Sequence, residues 1–264
     1  KSNLSVLIRG ESGTGKELIA YAIHRNSNRS KEPFIKFNSA AIPNELVESE
    51  LFGFERGAFT GAVRSKKGKL EEANNGTLLL DEIGDMSLSA QAKILRVIQE
   101  GEFERVGSNR KEKIDTRIIA ATHKNLEEMV KKGSFREDLY FRLNVIPIIS
   151  PPLRERTQDI PILIQHFSQM FHQEMKTPLK RFSNEVIKEL QTWSFPGNIR
   201  ELQNWIRFAL VRCRGREIRP EHLPPATQQP TRPTHRPVLL KHGRHKLDFP
   251  SVDRALRETG GPTR

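Results

Sequence analysis

The segment that most constrains this chain is Gly10-Glu11-Ser12-Gly13-Thr14-Gly15-Lys16. It follows a short apolar run, Leu4 to Ile8, and precedes Leu18-Ile19-Ala20 and Ala22-Ile23, which suggest a helix. Between a strand and a helix is where a phosphate-binding loop belongs. Glycines let backbone N–H groups converge on an anion, and the helix N-terminus adds a favourable dipole. Lys16 would reach the β- and γ-phosphates of a nucleotide. The general pattern asks for Ser or Thr next, to hold Mg²⁺, and here Glu17 stands there. By itself the segment also fits a glycine-rich turn with an incidental lysine.

Further short apolar runs read as strands: Phe34-Ile35-Lys36-Phe37, Thr77 to Leu80, Arg117 to Ala121 and Val145 to Ile149. Between them Ile94, Leu95, Val97 and Ile98 fit a helical period, and Leu126 to Lys132 forms a helix that stops at Gly133. Alternating strands and helices argue for an α/β fold, a parallel sheet with helices on both faces. After Pro151-Pro152 the pattern changes. Ile160 to Phe171, Ser183 to Trp193 and Asn198 to Val211 read as helices with no strand between them, and Ser183 and Asn198 as N-caps. The expected organisation is an α/β core over residues 1–150 and a small all-α subdomain over 151–224.

Six prolines fall in the 18 residues from Pro220 to Pro237. Residues 225–247 therefore read as an extended basic linker. Residues 248–264 read as the first turns of a further, truncated helical domain. Charge follows the same division: the chain carries a net +12, and from Arg212 onward there are 12 Lys and Arg against 5 Asp and Glu. Such an end suits nucleic acid, and equally a solvated linker. The single cysteine, Cys213, excludes an internal disulfide and a cysteine-cluster metal site. No run approaches the roughly 18 apolar residues of a spanning helix, and the N-terminus lacks a signal-peptide pattern, so a cytoplasmic protein without membrane contact is expected.

Two further segments carry chemistry. Gly76-Thr77-Leu78-Leu79-Leu80-Asp81-Glu82 is a buried strand with two carboxylates at its C-terminal end. Asp81 would bind Mg²⁺, directly or through water, and Glu82 would polarise an attacking water as general base. Solvated acids at the tip of a core strand are the alternative. In Glu55-Arg56-Gly57-Ala58-Phe59-Thr60-Gly61-Ala62 glycines flank a Phe-Thr pair, which describes a mobile loop offering one apolar anchor to a partner or, on the residues alone, a loop whose Phe folds back into the core.

Together, Gly10 to Glu17, the Gly57-Ala58-Phe59-Thr60-Gly61-Ala62 loop and Trp193-Ser194-Phe195-Pro196-Gly197-Asn198-Ile199-Arg200-Glu201-Leu202 resemble the AAA+ domain of sigma-54-dependent transcriptional activators, the bacterial enhancer-binding proteins. The resemblance runs from about Leu4 to Leu223, and Glu17 is what that family carries after the lysine.

The resemblance implies a P-loop AAA+ ATPase that uses ATP and Mg²⁺. It further implies a ring, usually of six subunits, and a Gly57–Ala62 loop that contacts sigma-54 RNA polymerase and helps convert a closed promoter complex to an open one. It implies that Gly10, Glu11, Ser12, Gly13, Thr14, Gly15, Lys16, Glu17 and Asp81 hold the nucleotide and its metal. Asn38 would hold the catalytic Glu82 back until ATP is sensed. Thr122 and His123 fall at sensor I, Arg136 and Arg142 at the arginine pair that reaches a neighbouring subunit's γ-phosphate, and Arg200 at the sensor II arginine of the lid. Asp253 to Gly261 resembles the first helix and turn of a Fis-type helix-turn-helix domain, whose second helix would read enhancer DNA. A helical segment that helps enclose the adenine would precede Leu4. The competing readings are an AAA+ remodeller of another target and a DNA-binding regulator that uses ATP only to oligomerise.

Overall fold

A computed structural model describes residues 3–176 and 178–225. The linker expected at 225–247 (apart from Pro225) and the helix-turn-helix start at 248–264 lie outside the described residues. The chain separates into two units, Lys1–Pro224 and Pro225–Arg264, and the elements described belong to the first.

The first half runs β1 (Val6–Arg9), α1 (Lys16–Arg25), β2 (Phe34–Asn38), α2 (Asn44–Phe52), the short pair β3 (Gly53–Phe54) and β4 (Lys66–Lys67), α3 (Lys69–Glu72) and β5 (Thr77–Asp81). It continues with α4 (Leu88–Glu100), the hairpin β6 (Glu102–Glu104) and β7 (Lys111–Lys113), β8 (Arg117–Thr122), α5 (Leu126–Lys131), α6 (Glu137–Leu143) and β9 (Ile146–Ile149). The five strands read from the sequence form one sheet in the order β2-β5-β8-β1-β9, every pairing parallel.

Strands covered on both faces are apolar along their centres, and β5 and β8 are: Leu78, Leu79, Leu80, Ile119, Ala120 and Ala121 are fully buried. Alternation then divides their side chains. Val6, Ile8, Leu79, Ile119 and Ala121 pack with Ala20 of α1 on one face. Leu7, Leu78, Leu80, Ile118 and Ala120 pack on the other face with Ile94 of α4, Leu126 of α5 and Leu139 of α6. Two insertions were not legible as elements, β3–β4 around the Gly57–Ala62 loop and the β6–β7 hairpin. Both are too short to show a period.

The second half contains α7 (Ile160–Met175), β10 (Arg181–Phe182), α8 (Asn184–Thr192), α9 (Asn198–Arg212) and β11 (Glu217–Ile218). Ile160, Ile164, Phe167 and Phe171 recur at helical spacing along α7 and meet Val186 and Leu190 of α8 and Leu202 and Ile206 of α9 in a separate apolar cluster. Two sequence expectations need correction. The lid is not wholly α, because β10 and β11 pair in parallel over two residues, tying the chain before α8 to the chain after α9. Asn198 is not a side-chain cap. Gly197 is the N-cap of α9, and Glu201 accepts the Gly197 N–H at 2.8 Å, whereas Ser183 does cap α8 by accepting from Val186 N.

Candidate nucleotide site

The order of the sheet sets the site. The glycine-rich loop leaves β1, the paired carboxylates leave β5, and β8 lies between them, so the tip of β8 can touch both. The Gly10 N–H donates to Thr122 O at 3.3 Å, which fixes the start of the loop to the end of β8.

Within the loop, Gly13 has φ +80° and a Cβ there would overlap the carbonyl oxygen of Gly197. Gly15, at φ +95°, is the N-cap of α1, and no side chain caps that helix. Its first N–H groups therefore remain available to an anion. Lys16 is buried, and its ammonium donates to Gly10 O at 2.9 Å and Glu11 O at 3.3 Å. Its Nζ also stands 3.6 Å from Glu82 Oε1. Glu17 points elsewhere and pairs with Lys36 of β2.

At the end of β5, Asp81 accepts from Glu82 N at 3.1 Å and from Asn38 Nδ2 at 3.2 Å. Burial pushes the Asp81 carboxyl above its ordinary value and the neighbouring Glu82 charge adds to this, while Lys16 opposes it. Glu82 adopts φ +53°, a left-handed conformation uncommon for a residue with a Cβ. Ser39 Oγ bonds the Asp81 and Glu82 carbonyls at 3.0 and 2.6 Å and so braces that turn. The Glu82 carboxylate meets His123 through both ring Nδ1 (2.7 Å) and backbone N (3.1 Å).

The expectation that Asn38 holds Glu82 is thus not what the geometry displays, since the Asn38 amide lies on Asp81 and its oxygen accepts from Ala40 N. Of the Thr122-His123 pair, it is His123 that reaches Glu82. Thr122 is fully buried, and its hydroxyl accepts from Lys124 N.

Arg200 of α9 donates to Ser12 Oγ at 2.9 Å, which brings the lid onto the loop. Arg136 and Arg142 lie exposed at the start and in the last turn of α6, Arg136 paired with Asp138 at 2.7 Å. Gly57–Ala62 forms a closed turn in which Gly57 N donates to Ala62 O at 2.9 Å. Phe59 is 41% exposed, with its ring 4.9 Å from that of Phe54.

Several contributors were not read from the sequence. Arg154 grips Glu11, Arg156 donates to Thr14 O at 2.8 Å, and Asn198 bonds Ser12 O and Glu11. Arg105 binds Glu55 and Glu71 beneath the Gly57–Ala62 loop. The pair of cations in Leu153-Arg154-Glu155-Arg156, next to Pro151-Pro152, was the available signal for the first two.

Residues 1–149 match the model of the sigma-54 interaction domain, and residues 154–238 match that of the AAA+ ATPase lid domain. Regulatory protein AtoC of Escherichia coli is 57% identical over 229 residues, covering 87% of this chain and 50% of that protein. The transcriptional regulator NtrC of Klebsiella pneumoniae is 49% identical over 257 residues, covering 97% and 55%. The chain therefore spans about half the length of these relatives. The crystal structure of NtrX from Brucella abortus in complex with ADP superposes with a TM-score of 0.79 at 40% identity, over 84% of this chain and 50% of that one. Hsp104, at 18% identity and a TM-score of 0.55, shares the fold. With the glycine-rich loop, the paired carboxylates and the helical lid assembled around one sheet tip, and with both models matched in order, the chain belongs to the sigma-54 interaction domain family and carries an AAA+ ATPase lid.

Proposed function

We propose that this chain is the ATP-hydrolysing part of a transcriptional activator that remodels sigma-54 RNA polymerase from the closed to the open promoter complex. One observation supports the reading best: buried Lys16 stands 3.6 Å from Glu82, at a loop that Arg200 of the lid also touches. A buried ammonium beside uncapped helix amides suits a polyphosphate, and the relatives' structures include NtrX complexes with ADP and with ATP.

In this reading Gly10 to Lys16 cradle the phosphates, and Lys16 neutralises charge at the β- and γ-positions. Asp81, whose carboxyl is pushed above its ordinary value by burial and by the Glu82 charge, would be relieved by a divalent cation, and Mg²⁺ would supply electrostatic stabilisation of the transferring phosphoryl group. Glu82 orients and deprotonates the attacking water, and His123 and Asn38 hold the two carboxylates of the pair. Arg136 and Arg142, exposed on α6, serve the site of the adjacent subunit, which makes turnover depend on a ring, here taken to be a hexamer. Phe59 and Thr60, within Gly57–Ala62, contact sigma-54.

The same proposal assigns residues 1–150 to the core, 151–224 to the lid, 225–247 to a basic linker, and 248–264 to the beginning of an enhancer-binding helix-turn-helix domain. It places the protein in the cytoplasm with the polymerase. Among the described residues no helix is long and apolar enough to cross a membrane.

The test is co-migration with sigma-54 in the presence of ADP and aluminium fluoride, with ADP alone as control. A complex only with the transition-state mimic is expected. No complex in either state, once the flanking parts of the protein are supplied, would overturn the reading.

A further inference from the structure

Glu11 stands inside the glycine-rich loop, yet its carboxylate faces the lid. Arg154 meets it in a fork, Nη2 to Oε1 at 2.6 Å and Nη1 to Oε2 at 2.8 Å. Oε2 also accepts from Asn198 Nδ2 at 3.1 Å. Asn198 is fully buried and has φ +53°, a backbone conformation that Asn tolerates better than most residues. Its amide is fully engaged: Nδ2 also donates to Ser12 O at 3.0 Å, and Oδ1 accepts from Leu153 N at 2.8 Å.

Two further carbonyls of the loop are taken from the same side. Gly13 O accepts from Ile199 N at 3.0 Å, and Thr14 O accepts from Arg156 Nη2 at 2.8 Å. A peptide whose C=O is fixed on one side presents its N–H on the other. The lid therefore holds the outer side of the loop, while the inner side is left to phosphate.

We infer that Glu11 is a positioning residue that latches the lid to the phosphate loop through Arg154 and Asn198, rather than a ligand of the nucleotide. A displacement of the loop on binding or release of phosphate would be passed through this latch to α9, and so to Arg200. The carboxyl state fits: the bonds from Arg154 hold Glu11 below the ordinary carboxylate range, outweighing its partial burial. The fork is partly solvent-exposed, so it contributes little to fold stability, and its removal should leave a folded protein.

The inference rests on the nucleotide-hydrolysing reading, and its test has arms that do not need turnover. In the full chain, Glu11→Gln, Arg154→Gln and the double variant are compared with wild type for ATP turnover and for binding of a fluorescent ADP analogue. Core–lid distance is read between spin labels on Lys31→Cys and Lys188→Cys, both exposed positions. Each single variant is expected to lower kcat about tenfold, with KM and the ADP-analogue Kd within about threefold, and to broaden the distance distribution. The double variant should be no worse than either single one, since the two residues act as a unit. A tenfold weaker Kd with an unchanged distance would make Glu11 a nucleotide ligand and overturn the inference, as would additive losses or no effect at all. A wild type without turnover would instead refute the hydrolytic reading, leaving the affinity and distance measurements to decide on Glu11.

Discussion

Oε2 of Glu82 accepts from both Nδ1 and the backbone N of His123, at 2.7 and 3.1 Å, so the tip of β8 grips the general-base candidate at the tip of β5. The asparagine on the other side, Asn38 of β2, takes Asp81 instead. The left-handed turn at Glu82 accounts for this division. Asp81 still lies in the line of β5 and faces its β2 neighbour, while Glu82 has left that line. Two adjacent acids thus acquire different partners.

Glu82→Gln should keep nucleotide binding within about threefold and lower hydrolysis by at least about a hundredfold, the scale of general-base catalysis. Phosphate release under saturating ATP measures it. Retention of a tenth of wild-type turnover would remove Glu82 as the base.

Gly13→Ala should loosen the lid as well as weaken phosphate binding. The new methyl meets the Gly197 carbonyl, at a φ of +80° that alanine adopts at a cost, together about 1–3 kcal/mol. Thermal unfolding of the nucleotide-free protein checks this. An unchanged Tm would show that loop and lid are not in close contact.

A pH-dependent contribution is expected at Glu127. Burial opposes its ionisation, but the bonds from Arg9 (2.6 Å) and Tyr140 (2.8 Å) prevail and lower its pKa. A depressed carboxyl stabilises the fold fully above the unfolded value of about 4.3 and loses that contribution as pH falls through the folded value. Wild type should therefore exceed Glu127→Gln in Tm at pH 7, and the gap should close on acidification below about pH 4. A gap that stays constant down to pH 3 would refute the assignment.

Arg105→Ala should be costlier than Phe59→Ala. Arg105 reaches Glu55 at 2.8 Å, Glu71 at 2.9 Å and Glu112 at 3.4 Å, and without it three carboxylates face one another. A loss of about 2–4 kcal/mol in denaturant unfolding is expected for Arg105→Ala. Phe59 is 41% exposed, so Phe59→Ala should cost about 1 kcal/mol or less, retain ATP turnover and lose the sigma-54 complex. The reverse order of stabilities would place Phe59 in the core and Arg105 on a dispensable surface.

Local elements whose signal lies within a few residues were legible in the chain alone. Leu78-Leu79-Leu80 had to be a strand covered on both faces, because a continuous apolar run ending in two acids has no exposed side to offer. Gly13 and Gly15 announced a turn that needs positive φ, and the spacing of Ile160, Ile164, Phe167 and Phe171 announced α7. The partners of the polar groups were decided only by the tertiary structure. Nothing local says that β5 enters the sheet between β2 and β8, yet that order brings Asn38 and His123 to the two carboxylates, and the turn at Glu82 divides them. Likewise Asn198, at the start of a helix, read as a cap by local rules. Its side chain bonds Ser12, 186 positions away, because a buried amide must satisfy its donors and acceptor wherever the packed chain supplies them. Periodicity reports which face of an element is buried, but a hydrogen bond between distant elements depends on where the whole sheet and lid have placed both ends.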